Sequence, residues 1–412
     1  MTPGVTRSLR ALAEVQLGRQ RSPDRDQGPN MVRYLRAANV KDGALSLDDV
    51  KEMDFTPAEQ RTFALAPGDV LVSEGAGSLA AVGASSVWSG ELDGTVCFQN
   101  TLLRLRPRPG VDPRFLMWWA SHAYASGLFA SIATGANIYH LGTERVRLLP
   151  AAMPGAAAQR AIADYLDTET RRLDSTVELR RKQGARLDER EFSLISESVA
   201  KSSTRMTRLK RLATIQSGLT VDGGRDAGPD AVTRPYLRVA NVHADSLELD
   251  SVTDITVPRS LADRCTLRYG DVLMTEGGDI DKLGRGTVWR DELPGALHQN
   301  HVFAVRPVAG LLLGGYLGLL TRTLHARAYF ESTGSKTTGI ASTSSEKILN
   351  LPVPDLSLAE QRRIVERVDA QLREIGALRT AIQRQVDLLL ERRQALISAA
   401  VTGQLEIAGA AA

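Results

Sequence analysis

Residues 354–406 read PDLSLAEQRRIVERVDAQLREIGALRTAIQRQVDLLLERRQALISAAVTGQLE, and apolar side chains return every seventh position at Val368, Ile375, Ile382, Leu389 and Leu396. A second apolar set, Ile364, Leu372, Leu378 and Val386, lies three or four residues off the first, the spacing that puts both on one face of a helix. Ser357 and Glu360 are spaced as a capping box, and Gly403 stands where a helix would end. Roughly 40 residues at about 1.5 Å each predict a rod of about 60 Å, several times the length of an average helix. Such a rod cannot cover its own seam.

The same chain supplies the cover. Moved back by 202 residues, Val368, Ile375, Leu389 and Leu396 fall on Leu166, Leu173, Leu187 and Leu194, with Arg180 in the place of Ile382. A single polar residue in a seam fixes register at some cost in stability, so the two rods are expected to pack on each other. The duplication runs through the whole chain. Tyr34-Leu35-Arg36-Ala37-Ala38-Asn39-Val40 answers Tyr236-Leu237-Arg238-Val239-Ala240-Asn241-Val242; Gly68-Asp69 answers Gly270-Asp271; Glu74-Gly75 answers Glu276-Gly277; Gln99-Asn100 and Arg106-Pro107 answer Gln299-Asn300 and Arg306-Pro307. Each copy is a globular region followed by one rod. Strands are expected at Val70 to Ser73, Val96 to Arg106, Val272 to Thr275 and Val302 to Arg306, with a helix capped by Asp112-Pro113 and a counterpart in the run Leu311 to Leu324.

Composition narrows the class without choosing a partner. The 412 residues carry a formal charge of +3, Lys and Arg nearly matched by Asp and Glu, so any nucleic-acid surface must come from local patches. Cys97 and Cys265 occupy non-equivalent places, which excludes a repeated disulfide or a CxxC metal knuckle and fits a reduced cytoplasm. The uncharged run from Pro307 to Thr321 contains four glycines and is too short to span a membrane. The opening MTPGVTRSLR has no apolar signal core. Catalytic signatures fail as well: Thr333-Gly334-Ser335-Lys336-Thr337 lacks the Gly-Lys pair of a phosphate loop, the six histidines form no HExxH and read as ordinary residues, and no Asn-Pro-Pro-Tyr type methylation motif occurs. A tandem binding module is the reading left standing, with a coiled-coil scaffold or a stand-alone DNA binder as alternatives.

The runs LPVPDLSLAEQRRIVERVD at 351–369 and ALISAAVTGQLE at 395–406 resemble hallmark segments of the specificity subunit of Type I restriction and modification enzymes. The blocks YLRAANV and YLRVANV, GDVLVSEG and GDVLMTEG, and FQNTLLRLRP are similar to that family's target recognition domains. The first copy departs at LPAAMPGAAAQR, residues 149–160, where Gly155 and Ala158 replace the capping pair. The resemblance implies an α+β fold of two tandem strand-rich target recognition domains, each followed by a long helix, the helices packing as an antiparallel coiled coil. The expected divisions are a first recognition domain at 1–154, a central spacer helix at 155–203, a second recognition domain at 204–354, a C-terminal spacer helix at 355–406 and a tail at 407–412. It also implies a non-catalytic, cytoplasmic subunit that reads a bipartite, asymmetric double-stranded DNA target. Two methylation subunits and the restriction or translocase subunits would join it. S-adenosylmethionine, ATP and Mg would belong to those partners, with no cofactor in this subunit and no membrane.

If the copies read different half-sites, residues they share are scaffold candidates and residues that differ are readout candidates. Arg36 and Arg238 are shared, which suits either a scaffold ion pair or a phosphate contact. Divergence concentrates in three loops of each copy: 19–33 against 219–233, 76–87 against 278–288, and 135–143 against 334–345. Arginine suits guanine, amides suit adenine and hydroxyls suit either. Arg19, Gln20, Arg21, Asn137, Tyr139, His140, Lys282, Arg285, Lys336 and Thr337 are therefore the candidate DNA contacts, each also readable as a solvated loop residue.

Overall fold

A computed structural model of the protein describes residues 6–22, 25–200, 205–220, 228–278, 283–337 and 340–410. Backbone contacts divide the chain into two units: Met1–Arg181 with Arg384–Ala412, and Lys182–Gln383. The division passes through both rods, the helices Ala156–Ala200 and Leu358–Val401, so each unit holds one recognition domain and half of each rod.

In the first unit a four-stranded antiparallel sheet runs in the order Ala13–Leu17, Leu102–Pro107, Val70–Ser73, Ser85–Val87. A second sheet places Met31–Leu35 between Val96–Phe98, in parallel, and Lys51–Asp54, antiparallel. Both faces of the larger sheet are covered. Val70, Val72, Leu103 and Leu105 face Phe115, Leu116, Trp119 and Phe129 of the helices Pro113–Ala125 and Leu128–Ile132, whereas Leu71 and Leu102 face Leu35, Trp88 and Phe98. Two-sided burial is why Val70–Ser73 reads as an unbroken run rather than an alternating one. The second unit repeats the plan with Ala213–Ser217, Val302–Pro307, Val272–Thr275 and Gly286–Val288 in one sheet and Thr253–Pro258, Ala231–Leu237 and Leu297–His298 in the other.

The strand expected at Val96 to Arg106 proves to be two, Val96–Phe98 and Leu102–Pro107, in different sheets. The break falls at Gln99-Asn100-Thr101, where Gln99 N donates to Leu35 O and Leu102 N to Gln99 O. Arg104 is buried under the second sheet, with its guanidinium 5.3 Å from the Phe98 ring and bonded to Thr62 O and Ala64 O.

Within each unit the rod halves run antiparallel and close the core. In the first, Ala158, Ile162 and Leu166 meet Ile397, Ala400 and Val401 beneath Phe115 and Trp119, and Asp174 pairs with Arg393 at 2.9 Å further along. In the second, Ile195 and Val199 meet Ile364 and Val368, and Asp188 pairs with Arg379. Of the expected seam, Leu166, Leu173, Val368 and Ile375 are buried, while Leu187, Leu194, Ile382, Leu389 and Leu396 are half-buried and Leu378 is exposed. The deepest positions are those that a recognition domain also covers. The expected tail is part of a core: Ile407 and Ala410 are buried with the first domain.

Rod and domain are also joined by a side chain the copies share. Gln361 accepts from Leu313 N and donates to Leu311 O and Leu356 O; Gln159 accepts from Asp112 N and donates to Pro154 O. Ser357 and Glu360 form the expected box. The first rod, lacking that box, starts at Ala156 with Gln159 bonded across its first turn.

One buried group sets a pH limit. His298 takes the position of Phe98, opposite Leu237 as Phe98 is opposite Leu35. Burial holds its imidazole below the ordinary histidine value, as it does that of His122 in the first unit. A depressed histidine leaves the folded state unprotonated while the unfolded chain takes up its proton, so stability falls as pH drops below about 6.5, by up to about 1.4 kcal/mol per pH unit for each group. His298→Phe is expected to remove the second unit's share. Denaturation midpoints of the two proteins between neutral pH and pH 5 check this, and equal losses would clear His298.

Candidate nucleic-acid interface

The residues that recur in both copies are mostly framework. Asp69 accepts from Ala66 N to close its turn and takes a bidentate pair from Arg106 at 2.8 and 2.7 Å; Asp271 does the same with Arg268 N and Arg306 at 2.8 and 2.6 Å. Asn39 and Asn241 are buried and bind the backbone on both sides, accepting from Arg36 N and Arg238 N and donating to Ser46 O and Glu248 O. Arg36 pairs with Asp49, whereas its counterpart Arg238 bonds to Ser251 O.

On this frame the roots of the three divergent loops meet. Arg19 forms a parallel bridge with Gln99, and Asn100 N donates to Arg19 O; Glu74 N donates to Thr101 O, and Leu141 N to Glu74 O. The second unit repeats every link, through Leu219 and Gln299, Asn300 and Leu219, Glu276 and His301, and Thr343 and Glu276. Gly18 and Gly218 make the approach possible, since a Cβ built on either would lie 2.2 or 2.1 Å from a carbonyl oxygen of the opposing segment. Beyond the roots the second and third loops pair as short strands, Gly75–Ala76 with Tyr139–His140 and Gly277–Gly278 with Ile340–Ser342.

The candidate contacts separate on this geometry. Asn137, Tyr139 and His140 stand together on the third loop of the first unit, Asn137 and His140 exposed and Tyr139 half-buried. His140 Nδ1 lies 2.8 Å from Glu74 Oε2, and the absence of a side chain at Gly75 leaves room for its ring. Gln20 is exposed, as is Arg21, which pairs with Asp26 at 3.1 Å. Arg19 is turned inward, 9% exposed, bonded to Glu59 at 2.8 Å and stacked 4.9 Å from the Phe55 ring. That is the environment of a framework cation. Arg285 is apart from the loop cluster, in a cleft it shares with Asp188, Glu191 and Asp245. Lys336 lies in the strand Ser335–Thr337 with Thr337, but their side chains lie outside the described residues, as does Lys282 entirely. The sequence reading passed over His301, whose Nδ1 lies 2.6 Å from Glu276 Oε2. Its signal was present in the one position, Thr101 against His301, where the copies differ immediately after the shared Gln-Asn.

No model of a known protein family matches the chain. It is similar to two curated proteins: the Type I restriction enzyme EcoKI specificity subunit of Escherichia coli (strain K12), 24% identical over 393 residues, and the StySPI specificity subunit of Salmonella potsdam, 23% identical over 389 residues. Each match spans 90% of this chain and 82% of the relative. Among solved structures, a chain described under complex assembly and conformational transition of the type I R-M system matches with a TM-score of 0.74 at 17% identity, covering 98% of this chain and 99% of that one. The HsdS subunit from Thermoanaerobacter tengcongensis matches with a TM-score of 0.54 at 16% identity over 98% of each chain. The resemblance and the fold read from the sequence are borne out together.

Proposed function

We propose that this chain is the specificity subunit of a Type I restriction and modification enzyme, a non-catalytic protein that reads a bipartite, asymmetric DNA sequence and directs the methylation and cleavage done by its partners. One observation carries the reading: two copies of one framework, matched in their Asp–Arg pairs, buried asparagines and loop-root bonds, present loops that differ. A duplicated frame with divergent tips suits one reader for each of two unlike half-sites. Methylation and restriction or translocase subunits bind S-adenosylmethionine, ATP and Mg, and the subunit itself needs none. Exposed leucines on the rods, Leu179 and Leu388 in the first unit and Leu378 in the second, suit docking of those partners. Among the described residues no helix is long and apolar enough to cross a membrane, and a cytoplasmic site of action fits. The test is selection from a randomised duplex library by the full-length chain. A consensus of two unlike parts separated by unspecified base pairs is expected; a single contiguous site, or none, overturns the reading.

A further inference from the structure

We infer that His301 reads a base edge of the second half-site, that Glu276 is its positioning residue, and that the pair is the functional counterpart of His140 and Glu74 in the first. The inference rests on the function proposed above. Its basis is an exchange of two side chains around one shared carboxylate. At the place opposite Gly75 the first unit has His140; opposite Gly277 the second has Ser342. At the place whose carbonyl accepts from the glutamate N–H, the first unit has Thr101 and the second His301. Imidazole and hydroxyl have traded positions, and in each unit the imidazole is on the glutamate.

The framework has been rewired to allow the trade. Thr101 Oγ1 accepts from Ala37 N at 3.1 Å and is committed to holding the loop. In the second unit the equivalent amide, Val239 N, donates to Gln299 Oε1 at 3.3 Å, which releases residue 301 from that duty. Two chain positions deliver the same group to the same carboxylate. Phosphate contacts, being indifferent to sequence, would be placed alike in both copies. Delivering the ring from the third loop in one copy and from the segment after Gln-Asn in the other instead gives each domain a different reading point, as unlike half-sites require.

The chemistry fits a base edge. The His140 and His301 side chains are 52% and 54% exposed at the meeting point of the loop roots, and no partner of either Nε2 occurs among the described residues. With Nδ1–H donated to the glutamate, a neutral ring offers Nε2 as an acceptor for the amino group of adenine or cytosine. The carboxylate fixes tautomer and aim together.

The full-length chain and its His301→Ala, Glu276→Ala and His140→Ala variants would each be put through selection from the randomised duplex library, with thermal unfolding as a folding check. His301→Ala should flatten one or two adjacent positions in one part of the consensus, discrimination there falling about 10- to 100-fold. Glu276→Ala should weaken the same positions, and His140→Ala should act only on the other part. An unchanged consensus for His301→Ala, a uniform loss of affinity over all sequences, or effects of both histidines on the same part would overturn the inference. Failure of the unaltered chain to select any two-part consensus would instead sink the function on which it rests.

Discussion

Asp271→Ala should destabilise the unit Lys182–Gln383 by about 3 kcal/mol, and Arg306→Leu by more. The pair joins the strand Val302–Pro307 to the turn before Val272–Thr275 through two parallel N–H to oxygen bonds, and the same carboxylate caps Arg268 N. Breaking a buried pair costs roughly 3–5 kcal/mol, chiefly for the charge left behind. The two ends are not equally buried: the Arg306 side chain is 23% exposed and that of Asp271 only 1%. An abandoned Arg306 can turn toward water, which places Asp271→Ala near the lower limit. An abandoned Asp271 cannot. For about 200 residues, 3 kcal/mol corresponds to about 6–12 °C in melting temperature. Asp69→Ala should act likewise on the first unit, since Asp69 and Arg106 repeat the geometry at 1% and 34% exposure. Hydrogen exchange resolved by segment checks the assignment: faster exchange in both units from either substitution would show that the pairs do not act on their own units.

The framework was legible because its causes are local or repeated. A seven-residue period needs a covering helix, a second copy of the period supplies one, and a Gly-Asp turn recurring in both copies marks itself as framework before any coordinate is known. What escaped depends on partners distant in sequence. Arg19 looked like a reader until Glu59, forty residues on, took it inward. His301 looked ordinary because Thr101, its counterpart, differs in chemistry, and the relation between them is a hydrogen-bond exchange with Gln299 and Ser342 rather than a match of letters. Comparison of copies finds what duplication kept. It is blind to a function kept by moving it.

The junction of rod and domain supplies the second large effect. Gln361→Leu preserves bulk but leaves Leu313 N without its acceptor and Leu311 O and Leu356 O without their donor. Gln361 is 1% exposed, so little water can reach the orphaned groups, and an unsatisfied buried group costs about 1–3 kcal/mol. A total of about 3 kcal/mol is expected after partial relaxation. Gln159→Leu orphans fewer groups, Asp112 N and Pro154 O, and should cost about 2 kcal/mol on the same scale. Because the residues belong to different units and share no partner, their effects should add within about 0.5 kcal/mol. The amides of Leu313 and Asp112 are local reporters: each should exchange faster in its own variant, ahead of any global unfolding. Unchanged protection of Leu313 in Gln361→Leu would mean that the side chain holds nothing. Of the residues that open the two rods, the copies differ at both capping positions and agree at this glutamine, which is what a joint more demanding than a cap should look like.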